Sequence, residues 1–329
     1  DGTAAAVRRL GSGPFVAELQ LVRTLRPPPS AGFVGATTSA PPPYDAASDS
    51  FAVGPHRLQL RERASRLRPA GGARAWDVYH NISPADVRGH FLLLPDISSV
   101  EGRRPQRILP DDCADLAEMA LTLRPPGRTA LCYNGVGAGA SQNRIHVHFW
   151  PNRDYAARSA GRTDGTRALA LANGEEERVT VEALDYPCCA MRLVAASAEP
   201  LGRALVAVLS AIGELPHNVC LFNRASDKEG APGVEIEAYI FVRSRECSDV
   251  LQGRLGTSEM MGVFHMPSEE ELLKAIAETV GEDGRRLSAM ELALEDVSAP
   301  KMEIWQKIRS FLSSDATAEW GLKKEELDE

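Results

Sequence analysis

The 329-residue chain has no excess of basic residues: 37 Lys and Arg stand against 45 Asp and Glu, a formal charge of −8. Phosphate backbones are held by clustered Lys and Arg, so nucleic acid is excluded as the main partner. Long apolar runs are missing too. The most apolar stretch, residues 204–213, is about half of what a membrane-spanning helix needs. None of the six cysteines forms a Cys-x-x-Cys pair, which leaves no zinc ribbon or thioredoxin-type motif. Six scattered cysteines do not make a disulfide framework in a chain this long, so a reducing, intracellular setting is expected. No repeat occurs at the periods of solenoids or propellers. The chain begins at Asp1, as a processed chain or a fragment would. The expected compartment is the cytoplasm, or a plastid or other organelle after loss of a targeting peptide.

What is present is ordinary for a folded protein: 43% hydrophobic and 25% charged residues. The length allows two or three domains. Residues 27–44, rich in Pro, Ser, Ala and Gly, and residues 61–74, rich in Arg, Ala and Gly, lack either hydrophobic period and read as loops or extended arms. Residues 91–94 and 130–133 read as short buried strands, and 219–222 with 236–242 as an antiparallel hairpin with a long loop. Leu201, Ala204, Leu205, Val208, Leu209 and Ile212 keep helical spacing behind Pro200. Ser268 and Glu271 form a capping-box pattern ahead of Leu272, Leu273, Ile276 and Val280, with Gly281 as the stop. Met302, Trp305, Ile308 and Leu312 stripe a last helix, and residues 325–329 form an acidic, solvated tail.

The chemistry lies in residues 133–151, YNGVGAGASQNRIHVHFWP. Read as a strand, Arg144, His146, His148 and Trp150 share one face, and Ile145, Val147 and Phe149 the other. The second face belongs to a core. The first aligns two imidazoles, a guanidinium and an indole behind a loop containing Gly135, Gly137 and Gly139, where backbone N–H groups can approach an anion. Three readings compete. Both histidines are structural; or His-x-His holds a metal, with Asp154, past a proline, as the nearest carboxylate; or a histidine attacks phosphorus, with its neighbours orienting it and neutralising charge. A dinucleotide fingerprint is excluded, because these glycines lead into a strand and not a helix. Arg243 and Arg245, after the 236–242 strand, read as a solvated strand end or a phosphate site. Cys188 and Cys189 read as packing.

Residues 144–150, RIHVHFW, resemble the histidine-triad pattern His-φ-His-φ-(His/Gln)-φ-φ. Residues 80–95, HNISPADVRGHFLLLP, are similar to the N-x-S-P-x-x-x-G-H-x-L-L-x-P segment of the GDP-L-galactose and GDP-D-glucose phosphorylases. That branch also contains galactose-1-phosphate uridylyltransferase and diadenosine tetraphosphate phosphorylase. Residues 15–23 resemble the family's N-terminal helix, 184–194 its N/D-Y-P strand, and 217–222 its late F-N-V strand, so the resemblance keeps its order over most of the chain.

The resemblance implies an α+β fold: histidine-triad-like (HIT-like) antiparallel sheets with flanking helices, in two sequential HIT-like halves. The expected divisions are 1–75 as N-terminal arm, 76–180 as the half carrying the His strand, 181–298 as the second half, and 299–329 as C-terminal helix and tail. The resemblance makes His146 the nucleophile and gives His148 the third triad position. Asn143 matches the Asn before the triad, and Gly89 and His90 the Gly-His of the family motif, where the His is structural. Arg144 stands where the first triad His is usual. In an alternative register His148 is the nucleophile and Trp150 takes the Gln position. The implied reaction is phosphorolysis of a GDP-hexose to hexose 1-phosphate and GDP through a nucleotidyl-histidine. Tyr133, Asn134, Gly135, Gly137, Gly139, Ser141, Asn143 and Arg144 would bind the nucleotide and its phosphates. No cofactor and no metal is required, and the partners are the nucleotide sugar and inorganic phosphate. A homodimer is expected, or a place as a subunit of a larger assembly. In the competing reading the fold persists without chemistry, as a scaffold subunit.

Overall fold

Apolar runs bounded by Gly and Pro become strands, and the longer periodic stretches become helices. The computed structural model describes residues 9–20, 44, 47–53, 60, 62–71, 74–85, 89–96, 102–151, 154–163, 167–171, 178–225, 233–280, 284–314 and 322–324. In chain order the elements are β1 (Arg9–Ser12), β2 (Phe15–Leu19), α1 (Ser50–Val53), β3 (Arg63–Leu67), β4 (Trp76–His80), β5 (Phe91–Pro95), α2 (Pro110–Thr122), β6 (Thr129–Asn134) and β7 (Val147–Pro151). Then come β8 (Gly161–Arg162), β9 (Arg167–Leu171), β10 (Arg178–Asp185), β11 (Cys189–Ala195), α3 (Ala198–Ile212), β12 (His217–Ala225) and β13 (Val234–Val242). The chain finishes with β14 (Cys247–Ser248), β15 (Gly253–Arg254), α4 (Thr257–Met260), β16 (Val263–Met266), α5 (Glu269–Ala275), β17 (Glu278–Val280), β18 (Arg286–Ser288), α6 (Ala289–Val297), α7 (Lys301–Leu312) and β19 (Leu322–Lys324).

The fold is mixed α+β, built on one large antiparallel sheet ordered β19-β9-β10-β11-β13-β12-β6-β7-β5-β4-β3. That order contains the same unit twice. The chain runs β3-β4-β5-α2-β6-β7 and then β9-β10-β11-α3-β12-β13, and in each set the chain-order strands take the first, second, third, fifth and fourth places counted inward from β3 and from β9, with β19 added outside β9. The units join edge to edge where β6 pairs with β12, with Cys132 opposite Cys220. On one face α2, α3 and α7 bury Leu116, Leu205 and Ile308 against Leu131, Val147, Leu221 and Ile240. Gly202 of α3 lets that helix pass Ala114 of α2, since a Cβ there would sit 3.1 Å from the Ala114 Cα. On the other face the small sheet β1-β2-β16 with α4, α5 and α6 covers Cys132, Cys220, Phe222 and Tyr239. No helix among the described residues is long and apolar enough to cross a membrane.

Several local expectations change. Phe15–Leu19 is a strand, not a helix: its inward residues Phe15 and Ala17 are two apart, and β16 pairs with it in parallel. Within 61–74, β3 pairs with β4, its charge hidden from a hydrophobic count because Arg63 and Arg66 reach the buried carboxylate of Asp77. An edge strand needs little apolar content to hold its place. The helix after Ser268 ends at Ala275, and Glu278–Val280 instead pairs with Arg286–Ser288. Pro200 occupies the third helical position behind Ser197, where a backbone N–H has no partner within the helix anyway. Met302 points to solvent, at 69% exposure, while Trp305, Ile308 and Leu312 are buried as expected. Most of 27–44 and all of 325–329 lie outside the described residues.

Candidate active site

Strand β7 is flanked by β5 and β6 only from Val147 onward. Ahead of it the backbone pairs with a different segment: Pro105 bridges Arg144, Ile145 N–H donates to Arg104 O at 3.1 Å, and Gln106 N–H donates to Asn143 O at 2.9 Å. The Gln106 side chain closes the gap left where β6 ends. Its Oε1 accepts from His146 N at 2.9 Å, and its Nε2 donates to Asn134 O at 2.8 Å and His146 O at 3.3 Å. Residues 144–150 are thus half ladder and half side-chain staple, yet the alternation read from sequence holds. Ile145 and Val147 enter the helical core, while His146, His148 and Trp150 follow one another ring to ring at 5.2 and 5.3 Å.

The hydrogen bonds fix which imidazole nitrogen carries each proton. His146 Nδ1 lies 2.9 Å from the carbonyl of Arg144, so it must donate, which leaves the lone pair of the neutral ring on Nε2. His90 Nδ1 accepts from Ala85 N–H at 2.9 Å, which puts the proton of neutral His90 on Nε2. That Nε2 is 2.9 Å from His148 Nδ1 and donates to it, so neutral His148 carries its own proton on Nε2. The Asn81 amide is oriented by Ser83 N–H on its Oδ1 at 2.8 Å and lies against the His90 ring, 3.1 and 3.4 Å from the two nitrogens. The two histidines therefore differ: His146 presents an acceptor nitrogen, and His148 a donor.

Around them is a cavity of about 90 Å³, lined among others by Phe51, Asn81, His90, Asn134, Gly139, Ser141, His146, His148 and Trp150. The segment that follows the second repeat contributes the other wall, Arg254 of β15 and Gly256–Glu259 around α4. Asn134 Oδ1 holds that wall by accepting from Thr257 N–H at 2.8 Å and Asn218 Nδ2 at 2.8 Å. Glu259 bonds His265 Nδ1 at 2.8 Å and Gly256 N–H at 2.9 Å. Among the described residues no group of three or more His, Cys, Asp or Glu is disposed to hold a metal ion.

The glycine loop differs from its expected use. Gly135 N–H donates to His217 O at 3.0 Å, Ala138 and Ala140 N–H return to Gly135 O, and Gly139 N–H donates to Glu246 Oε1 at 3.2 Å. These amides are committed inside the protein and are not turned toward the histidines. The glycines serve close packing: a Cβ on Gly135 would lie 2.6 Å from His217 O, and one on Gly139 2.6 Å from Leu255 O. Tyr133 is also placed apart, because alternation along β6 sends Cys132 and Asn134 to one face and Tyr133 to the other. It sits in the helical core with its hydroxyl on Gln106 O at 3.3 Å, and burial pushes its pKa up. Tyr133, Gly135 and Asn143 border a different cavity of about 490 Å³, between the α2 entrance and the end of α3.

Arg144 makes the contact least legible in sequence. It is 2% exposed, and its Nη1 is 3.0 Å from Asp49 Oδ2, a carboxylate just ahead of α1. Asn143 grips the same segment, with Nδ2 on Ser48 O at 2.7 Å and Oδ1 accepting from Ser50 N–H at 3.1 Å. Phe51 is thereby set edge-on against His146, ring centres 5.6 Å apart, and packed with Tyr79, Leu92 and Leu94.

Sequence reading missed Phe51, Asn81 and Gln106 as site residues and read His90 as structural. Only the Asn-Ile-Ser-Pro and Gly-His residues around 81–90 carried a signal. Arg243 corrects another expectation: it is fully buried, bonding Leu255, Glu246 and Arg245 carbonyls, and burial lowers its pKa to about 10. Arg245 pairs with Asp249 and Asp296. Cys188 and Cys189 are buried, and their thiol pKa values are pushed up by desolvation.

The second repeat has no matching histidines. Cys132 opposes His148, and Cys220 opposes Tyr239. With Cys132 and Cys220 taken as equivalent, Glu237, Tyr239 and Phe241 occupy the places of His146, His148 and Trp150. Glu237 there is tied to Arg158, Arg192 and Arg224.

No family model and no curated protein matches the chain. Among solved structures it is similar to the crystal structure of yeast Ap4A phosphorylase Apa2 in complex with AMP, at 13% identity over 89% of each chain, with a TM-score of 0.48. Likeness at this level says nothing of substrate or activity.

Proposed function

We propose that the chain is a histidine-triad-like nucleotidyltransferase that splits a GDP-hexose by phosphorolysis through a nucleotidyl-His146 intermediate. The observation that carries the reading is the His146 Nδ1–H bond to the Arg144 carbonyl, which holds the Nε2 lone pair ready for attack. Nε2 attacks the α-phosphorus, the bond to the bridging oxygen breaks, and hexose 1-phosphate leaves with that electron pair. Inorganic phosphate then attacks the same phosphorus, the P–N bond breaks, and GDP departs. His148, its proton on Nε2 by virtue of His90, donates toward the charge that develops on phosphoryl oxygens. Ser141 and Arg254 at the cavity wall supply further donors. The two nitrogen roles favour His146 over His148 as nucleophile, because a neutral ring whose Nδ1 accepts a hydrogen bond has no lone pair on Nε2.

Incubation with GDP-glucose or GDP-galactose labelled in the α-phosphate tests this. The expected result is acid-labile label on His146, lost in His146→Ala and discharged as GDP by phosphate. Absence of label together with absence of phosphate-dependent hexose 1-phosphate release would sink it. A second reading, a scaffold subunit with the chemistry gone, is favoured by one observation: the cavity of about 90 Å³ is well below the ~300–1,000 Å³ typical of small-molecule sites. Stoichiometric co-purification with a larger assembly, without labelling, supports that reading.

A further inference from the structure

Phe51 enters the cavity from a segment that is held by charge. Asp49 caps the Phe51 N–H with Oδ1 at 3.0 Å and gives Oδ2 to Arg144 Nη1. Arg144 is left half used. Its Nε and Nη2, the parallel edge with which a guanidinium grips a phosphate or carboxylate, are buried and have no hydrogen-bond partner. A buried guanidinium with an empty edge is unfavourable in the folded protein unless that edge serves something else. Arg144 stands two residues before His146 on the same strand face, and its partner Asp49 stands two residues before Phe51, which lines the cavity against His146.

We propose that Arg144 is an anchor for a phosphoryl group of the substrate, and that residues 48–51 form a displaceable strap in which Asp49 stands in for that anion. In the closed state Asp49 holds Arg144, and Phe51 fills the space against His146. An incoming diphosphate takes the Nε and Nη2 edge, competes with Asp49 for the remaining charge, and lifts Phe51 off the nucleophile. The departure from His to Arg at position 144 is then a change of ligand recognition. The carbonyl of residue 144, which orients His146, is available from any side chain, so the replacement leaves that bond intact. The nucleotidyl-transfer reading is needed here only to name the diphosphate; the strap and the empty edge stand without it.

The test is calorimetric titration of GDP and, separately, of inorganic pyrophosphate into wild type, Asp49→Asn and Asp49→Asn/Arg144→Gln. Asparagine keeps the Oδ1 cap and removes the competing charge. Both ligands are expected to bind Asp49→Asn on the order of tenfold more tightly, because a ligand that must displace a closed state loses affinity in proportion. The gain should vanish in the double variant. Unchanged or weaker binding to folded Asp49→Asn, or a gain that survives the loss of Arg144, overturns the proposal. Should the variant not fold, amide exchange on wild type decides: ligand should speed exchange at Ser50 and Phe51, and protection or no change there overturns it. An Arg144-dependent pyrophosphate gain without covalent label on His146 leaves the anion site standing and removes the nucleotidyl-transfer reading. Label on His146 without the gain does the reverse.

Discussion

His90 and His148 are joined ring to ring, Nε2 to Nδ1 at 2.9 Å, although 58 residues separate them. The bond crosses from the end of the Gly-His segment to β7, and its direction is set at the far end by the Ala85 N–H on His90 Nδ1. A backbone amide thus decides where His148 keeps its proton.

His90→Phe keeps a ring of similar shape and removes that control. His148 can then adopt either tautomer, and only one presents a donor to the cavity. Turnover of the GDP-hexose should fall about 10²-fold, the scale of losing a positioned proton donor, with KM little changed. His90→Asn, which keeps an N–H near the same place, should recover part of the loss. Steady-state kinetics on the three proteins checks this, and equal turnover in His90→Phe and wild type would show the relay to be idle.

Gln106 gives a stability prediction. Its amide satisfies Asn134 O and both backbone groups of His146 in a place where no strand can reach. Gln106→Met keeps the length and loses every one of these bonds, leaving buried backbone groups unpaired. The expected cost is roughly 3–9 kcal/mol, at about 1–3 kcal/mol for each of the three groups left without a partner. Urea unfolding measures it. A loss under about 0.5 kcal/mol, the scale of neutral surface changes, would mean that water replaces the amide.

The parts of the site legible in sequence are those with a short period. Arg144, His146, His148 and Trp150 announce a shared face through alternation alone, and Ile145 and Val147 announce the core behind it. The repeat of the β-β-β-α-β-β unit was legible only through the family resemblance. Cys132 and Cys220 are 88 residues apart and their flanking strands, TALCYN and HNVCLFNRA, share little beyond apolar character. Asp49, Phe51 and Gln106 were illegible for a different reason: they reach the site from segments without periodicity, and long-range side-chain bonds leave no mark on local pattern. The glycines misled because Gly has two uses. A loop that approaches an anion and a loop that lets another backbone pass where a Cβ would lie 2.6 Å from its carbonyl look alike in sequence.

That second use makes Gly139 sensitive. Its φ is +93°, and an added Cβ would meet Leu255 O at 2.6 Å and Gly256 Cα at 2.8 Å, backbone atoms that cannot rotate aside. Gly139→Ala should cost about 2–4 kcal/mol from the strained backbone and the clash together. It should also displace Gly256–Glu259, the cavity wall that follows the second repeat. Thermal melting reads the first effect, and loss of nucleotide binding at temperatures well below the melt reads the second. Gly13, with φ +58° and open space for 4 Å around the position of an added Cβ, is the control: Gly13→Ala should cost only the backbone strain, about 1–2 kcal/mol.

His217 ties stability to pH. The ring is buried, its Nδ1 donates to Leu215 O at 2.9 Å, and its Nε2 has no partner. Desolvation lowers its pKa below the ordinary value of 6.5, outweighing the backbone bond that works the other way. Protonation therefore favours the unfolded chain, which binds the proton more readily. The stabilising difference is fully present above pH 6.5 and is lost progressively as the pH falls from there toward the folded value. His217→Phe keeps the ring against Tyr133, 6.0 Å away between centres in the wild type, and removes the titration. Denaturant unfolding at pH 8 should differ little between the two proteins, since a bond to Leu215 O is lost and an unpaired nitrogen is removed with it. Between pH 6.5 and 5 the wild type should lose stability faster than the variant, up to about 1.4 kcal/mol for each unit of pKa difference. Parallel curves through that interval would place the acid sensitivity in other groups, and His217 would then be a packing residue alone.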